Sequence, residues 1–249
     1  MNTIETMLSH RSVRKFKNQP IEESMLQQIL KAACSGSTMG NMQLYSIIVT
    51  QDKEMMQKMA PFHFNQPIAT NAPLMLTFCV DINRFYRYCE ARDVVTDAYS
   101  NMHCYHWAIT DTIIAAQNAC VAAESLGLGL CYLGTIIFNT PDFIDVLNLP
   151  KHVIPLACVA IGYPDENMPL TDKLPVEALI HTNTYQDYSD ERINELYKEK
   201  EAHPNTIALL KENNMENLAQ VFTQRFKKED NEYFASLMIQ SLVKQGFMK

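Results

Sequence analysis

Asp111-Thr-Ile-Ile-Ala-Ala-Gln-Asn-Ala-Cys-Val-Ala-Ala-Glu124, followed by Gly127-Leu-Gly129, is the stretch on which the reading of the fold turns. It is rich in alanine and closes a helical signal running from about Thr96 to Leu126. Small side chains permit close approach, so the run predicts a central helix packed by its neighbours or by a second subunit. Gly127 and Gly129 end the helix and turn the chain toward a strand. That strand is expected over Cys131 to Phe138, and three more over Leu44 to Thr50, Leu74 to Val80 and Ile154 to Ile161. The last is bounded by Pro155 and Gly162. Nearly continuous apolar strands separated by helices imply a sheet covered on both faces.

Working outward, residues 21–33 read as an amphipathic helix, with Ile21, Met25, Ile29 and Ala33 on one face and Glu22 and Glu23 near its positive start. Thr140 as N-cap and Pro141 in the first turn predict a short helix. Composition shifts near residue 181, beyond which the chain is charged and helical over Ser189 to Lys200, Asn205 to Asn213, Met215 to Phe226 and Asn231 to Gln245. The expected organisation is a core of residues 1–180 and a helical arm of residues 181–249 wrapped onto it.

At 47% hydrophobic and 20% charged over 249 residues, the chain is globular rather than disordered. A net charge of −7 disfavours nucleic acid or an anionic membrane as partner, while leaving room for a local basic pocket. The longest apolar stretch, Ile113 to Phe138, contains Gln117, Asn118 and Glu124, which argues against a membrane span. None of the seven cysteines (Cys34, Cys79, Cys89, Cys104, Cys120, Cys131, Cys158) forms a C-x-x-C pair. The first ten residues are polar and carry Glu5, unlike an export signal, so a reducing cytoplasm is expected.

Four segments carry candidate chemistry. His10-Arg-Ser-Val-Arg-Lys-Phe16 offers guanidiniums, an imidazole and a hydroxyl, the donor set a phosphate wants, although a solvated basic turn has the same composition. Ser35-Gly-Ser-Thr-Met-Gly-Asn-Met-Gln43 lies between a helix and a strand; its amides suit the edge of a heterocycle, and a plain connecting loop would look alike. Tyr132-Leu-Gly-Thr135 follows the alanine-rich helix and could present backbone amides to an electron-rich ligand atom. Gly162-Tyr-Pro164 with Thr171-Asp-Lys-Leu-Pro175 places a lysine just beyond a core strand. There is no G-x-G-x-x-G, P-loop, G-x-S-x-G or H-E-x-x-H, and His103 and His106 with Cys104 fall short of the three or four ligands that zinc requires.

In this order and at these separations, the segments resemble the nitroreductase family of FMN-dependent enzymes. His10 to Phe16 followed by Pro20-Ile21 is similar to the family's first motif. Asp111 to Gln117 through Gly127-Leu-Gly129 is similar to its dimerisation helix, and Gly162-Tyr-Pro164 with Lys173-Leu-Pro175 to its late phosphate segment. The arm ending in Lys244-Gln-Gly-Phe247 looks like the larger NADPH-using branch.

The resemblance implies an α+β fold: a three-layer α/β/α sandwich around a mixed, mostly antiparallel sheet, as a domain-swapped homodimer with FMN at the subunit interface. It implies that His10, Arg11, Ser12 and Lys173 hold the FMN phosphate, and that Arg14 lies by flavin N1 and O2 and tunes the flavin. Ser37, Thr38, Asn41 and Gln43 would line the ribityl chain and ring, some of them from the partner subunit. Gln66 would touch the pyrimidine edge, and Leu133, Gly134 and Thr135 would offer backbone contacts near N5 and O4. Thr171 stands where the family often has a first basic residue, which lowers the expected FMN retention. Arg225 is the arm residue assigned to the hydride donor, NADPH or NADH.

The implied activity is ping-pong hydride transfer from NAD(P)H through FMN to nitroaromatics, quinones or flavins, with no catalytic side chain and no metal. Two other readings share the fold: specialised flavin chemistry, such as reductive dehalogenation or flavin fragmentation, and a flavin-binding protein without turnover. Steady NAD(P)H oxidation with a nitro acceptor separates the first reading from these.

Overall fold

The computed structural model describes residues 2–248, which divide into two compact units. The first comprises the chain up to Pro169 together with the segment from Tyr233 onward; the second is Leu170–Glu232. This differs from a division at residue 181. Leu242 and Phe247 are buried among Leu44, Val80 and Tyr105, so the C-terminal segment completes the first unit's core.

The first unit runs α1 (Thr3–Leu8), α2 (Glu23–Ala33), β1 (Tyr45–Thr50), α3 (Lys53–Met59), α4 (Ile68–Asn71), β2 (Leu74–Asp81), α5 (Asn83–Glu90), α6 (Met102–Ser125), β3 (Gly129–Tyr132), α7 (Thr140–Val146) and β4 (Val153–Gly162). The four strands pair antiparallel in the order β1-β2-β4-β3, and the only parallel pairing among the described residues is an isolated bridge between Ser12 and Leu130. Every residue of β2 is buried. Alternation across the sheet sends Leu74, Leu76 and Phe78 to the face covered by α2 and α6, and Met75 to the face covered by α3 and α7. The inner strand β4 tolerates Pro155 because the register slips there: Phe78 faces Ala157 and Cys79 faces Pro155, so the missing N–H falls at a bulge.

The central helix starts at Met102, not near Thr96, where Asn101 caps it by accepting from the Cys104 amide. Its alanines meet the chain itself. Ala115, Ala116, Ala119 and Ala123 are at most 1% exposed, packed with Leu26, Ile29 and the sheet. They therefore give no argument for a second subunit. The strand expected over Cys131 to Phe138 stops at Tyr132; Leu133 makes a last bond to the Cys158 carbonyl at 2.8 Å, and Gly134–Ile137 coil into a 3-10 turn.

The second unit holds a 3-10 turn at Val176–Ala178 and helices α8 (Asp190–Ala202), α9 (Pro204–Asn213) and α10 (Leu218–Arg225). Ser189 caps α8 through the Arg192 amide, and Asn217 caps α10 through the Gln220 amide. The chain leaves this unit within α11 (Lys228–Lys244). Among the described residues no helix is long and apolar enough to cross a membrane.

Candidate functional site

The basic segment is not a solvated turn. It is extended backbone laid along the start of β3 and past the end of β4. The Val13 amide bonds the Leu130 carbonyl at 2.9 Å, Lys17 bonds Tyr163 at 2.9 Å, and the Asp165 amide returns a bond to Lys15 at 3.0 Å. Val13 is buried, and at Gly129 any side chain would place its Cβ 2.8 Å from Val13, so only glycine lets the segment lie this close. Because extended residues alternate, burying Val13 turns Ser12 and Arg14 to the other side. Arg14 and Ser12 lie close enough to Cys131 to oppose the rise that burial imposes on its thiol.

Arg11, Val13, Glu124, Gly129, Glu166 and Asn167 border a cavity of about 240 Å³ along this segment. Two carboxylates shape its electrostatics. His10 Nδ1 lies 2.7 Å from Glu124 Oε1 at the end of α6. Glu166 Oε1 accepts from the consecutive amides of Arg14 (2.7 Å) and Lys15 (3.1 Å). The Arg14 amide above all, helped by the Lys15 amide and both cations, holds the Glu166 carboxyl below its usual range. An acidic oxygen thus already sits on a converging pair of N–H donors beside Arg11, whose own guanidinium bonds the Met168 and Ser9 carbonyls. This donor set fits an oxyanion such as a phosphate.

The loop between α2 and β1 owes its shape to Asp111, a residue the sequence reading placed in the helix and not in the site. Its buried carboxylate accepts from the Met39 amide at 2.8 Å and the Leu44 amide at 3.0 Å. Between these anchors Gly40, Asn41 and Gln43 all take the left-handed conformation, with φ of 54°, 58° and 50°. Gln43 Nε2 donates to the Asn41 carbonyl at 2.7 Å and lies 3.3 Å from Thr38 Oγ1. Thr38, Asn41 and Gln43 are therefore one hydrogen-bonded cluster. At Gly36, next to Ser37, a Cβ would stand 2.6 Å from Ile114, so α6 passes directly under the loop. A carboxylate in the middle of an alanine-rich apolar helix is the signal that marks Asp111, since a buried charge needs partners.

Leu133 is buried, Gly134 faces open space with no atom within 4 Å of where a Cβ would stand, and Thr135 is 7% exposed. Thr135 Oγ1 lies 2.7 Å from Nδ1 of His63, a fully buried residue that the sequence reading also passed over. His63 ends the 3-10 turn Ala60–His63, after which Phe64 and Asn65 both adopt φ of 53° and the Gln66 amide bonds back to the His63 carbonyl at 3.2 Å. Desolvation holds the His63 imidazole down to about 4, so it is neutral at pH 7.

The basic segment, the 35–43 loop, Gln66 and the 133–135 loop all belong to the first unit. Lys173, with Thr171, belongs to the second. There Lys173 is exposed beside Asp172, whose carboxyl is held low by the Lys200 ammonium at 2.7 Å. Arg225 closes α10 and is exposed. His106 Nδ1 bonds the Met102 carbonyl, and the His103 ring packs edge-on to Trp107 at 4.8 Å.

Comparison with known proteins places these features in context. A family model described as the Nitroreductase family matches residues 7–163. The chain is 35% identical over 191 residues to the FMN reductase (NADPH) of Bacillus subtilis, covering 76% of this chain and 77% of that protein. It is 34% identical over 198 residues to the oxygen-insensitive NADPH nitroreductase of Salmonella typhimurium, covering 80% of each. A crystal structure of a Bacteroides fragilis protein superposes with a TM-score of 0.96 at 42% identity over the whole of both chains.

Proposed function

The chain belongs to the nitroreductase family, and from that footing we infer which of its residues serve the family's chemistry. It is an FMN-dependent oxidoreductase that takes hydride from NAD(P)H. The observation that best supports the residue assignments is the clamping of the basic segment to β3: Ser12 and Val13 pair with Leu130, and the same strand runs directly into Leu133–Thr135.

FMN would supply the two-electron chemistry that links oxidation of the reduced nicotinamide to reduction of an acceptor. Arg11, His10 and Ser12 would hold its phosphate. Arg14 fixes a positive charge where the ring gathers negative charge on reduction. Thr38, Asn41 and Gln43, with Ser37, line the ribityl chain and ring, held in register by Asp111. Gln66 reads the pyrimidine edge. The backbone of Leu133, Gly134 and Thr135 faces the hydride-accepting side, where the open surface over Gly134 admits a ligand. No side chain acts as nucleophile or general acid, and the proton comes from water. Nitroaromatics, quinones and flavins are the proposed acceptors, Arg225 the proposed contact for the nicotinamide donor, and the cytoplasm, which suits seven free thiols, the proposed compartment.

The active form is a homodimer with FMN at its interface. In support, α1 lies against α6 and leaves Ile4, Met7 and Leu8 at least 52% exposed, with Ile113 of α6 45% exposed. Exposed large apolar side chains on these helices suit a protein contact. The reading is tested by the visible spectrum of the purified protein. It should show bound flavin at one FMN per subunit and bleach anaerobically with NADPH. A colourless protein that cannot be reconstituted with FMN refutes it.

A further inference from the structure

Of the polar groups buried in the first unit, His63 stands out by where its two ends go. The residue is fully buried, and its ring lies 4.7 Å from that of Phe143. Its ring has one polar partner, Thr135 Oγ1 at 2.7 Å, and Nε2 has none among the described residues. Its carbonyl accepts from the Gln66 amide. One residue therefore joins the two segments assigned to the flavin's pyrimidine edge and to its hydride-accepting side. Burying an imidazole with one nitrogen unsatisfied is unfavourable, and an apolar side chain of similar size would fill the space without that cost. The tautomer with Nδ1–H donating to Thr135 leaves a bare lone pair at Nε2; the reverse would strand a buried N–H, the rarer situation in folded proteins.

We propose that His63 is a positioning residue of the flavin site, its Nδ1–H tethering Thr135 so that the Leu133–Thr135 backbone keeps one register relative to Gln66. The proposal rests on the FMN reading above and adds to it a residue that touches neither flavin nor substrate. Among the described residues nothing else polar ties the Thr135 side chain to the core. Asn139 Nδ2 also donates to the Phe62 carbonyl at 2.7 Å, holding the end of the 3-10 turn Gly134–Ile137 to the segment carrying Gln66, so losing the His63 tether loosens the Thr135 end of the turn alone.

Three variants separate a tether from core filling. His63→Leu keeps apolar volume and loses the donor, His63→Asn keeps a donor at the position of Nδ1 with less volume, and Thr135→Val removes the acceptor. All are studied as FMN-loaded proteins, with flavin visible circular dichroism and the rate of flavin reduction by NADPH as readouts. H63L and T135V should each retain FMN but alter the flavin dichroism in the same way. Each should slow reduction roughly fivefold, the factor for one net hydrogen bond, with KM for NADPH little changed. H63N should restore both readouts, and the H63L/T135V pair should add nothing to either single change. Dichroism and rate unaltered in H63L, H63N as impaired as H63L, or additive effects in the pair would each overturn the tether. Wild-type protein that takes up no FMN at all would remove the reading beneath it, an outcome visible before any variant is made.

Discussion

Acid should weaken this fold through His63, by an amount the structure allows one to work out. Burial lowers the His63 pKa from an ordinary 6.5 to about 4, with desolvation the sole cause. The folded-state value is depressed for a group that is charged when protonated. Between pH 6.5 and 4 the unfolded chain therefore binds a proton that the native state refuses. Stability attached to this residue is present above pH 6.5 and is lost as pH falls toward 4. Integrating between those values gives a loss of about 2 kcal/mol on going from pH 7 to pH 5, and about 3 kcal/mol by pH 4. The assay is equilibrium urea unfolding of wild type and H63L at pH 7 and pH 5. At pH 7 the variant should be the weaker by about 1–3 kcal/mol, since Thr135 Oγ1 is left buried without its partner. At pH 5 the gap should close, because only the wild type suffers the proton uptake. Equal losses in both proteins between the two pH values would show that His63 is solvated or charged in the native state.

Further expectations follow from the basic segment and the loop. Arg11→Ala should weaken FMN binding by about 1.5–3 kcal/mol, measured by flavin fluorescence titration; unchanged affinity would return the segment to a mere surface strand. Arg14→Gln should lower the flavin midpoint potential by tens of millivolts, since about 30 mV corresponds to 1.4 kcal/mol for a two-electron couple. If the potential holds while FMN is lost, Arg14 belongs to the phosphate cluster. Asp111→Ala leaves the Met39 and Leu44 amides without their acceptor and should cost about 3 kcal/mol, with hydrogen exchange accelerating selectively over residues 38–44. Dilution below the dimer dissociation constant should release FMN and abolish activity together; a monomer that keeps its flavin contradicts a shared site.

The parts of the fold that were legible in the sequence are those where chemistry and periodicity coincide. Leu74 to Val80 and Ile154 to Ile161 are almost continuously apolar because they lie inside a covered sheet, and Ser189 and Asn217 cap helices of the second unit. The run from Cys131 to Phe138 misled because an apolar stretch reads alike whether it pairs as strand or coils as a buried 3-10 turn; only the position of Gly134 and the Cys158 carbonyl decides. The alanines of α6 announced close packing but not whose surface would meet them. Of the proposed site, Arg11, Ser12, Arg14, Asn41 and Gln43 are legible as a donor-rich pattern matching a family. Asp111, His63 and Glu166 were not, because each acts on a segment remote in sequence: Asp111 on Met39 across 72 positions, His63 on Thr135 across 72, Glu166 on Arg14 across 152. Such juxtapositions exist only once the sheet is assembled.

The return of the C-terminal segment to the first unit has a consequence for biosynthesis. Phe247, 1% exposed, packs on Tyr105 at 5.0 Å and on His152 at 5.9 Å, and the His152 amide bonds the Gln245 carbonyl. On the ribosome, the strands and the central helix emerge well before this plug. At roughly 5–20 residues per second, translating the whole second unit holds the space around Leu44, Val80 and Tyr105 open for several seconds. During that interval the nascent chain presents an apolar cleft to whatever is nearby. A ribosome stalled anywhere inside the second unit would display a flavin-site segment already synthesised on a body that cannot yet close.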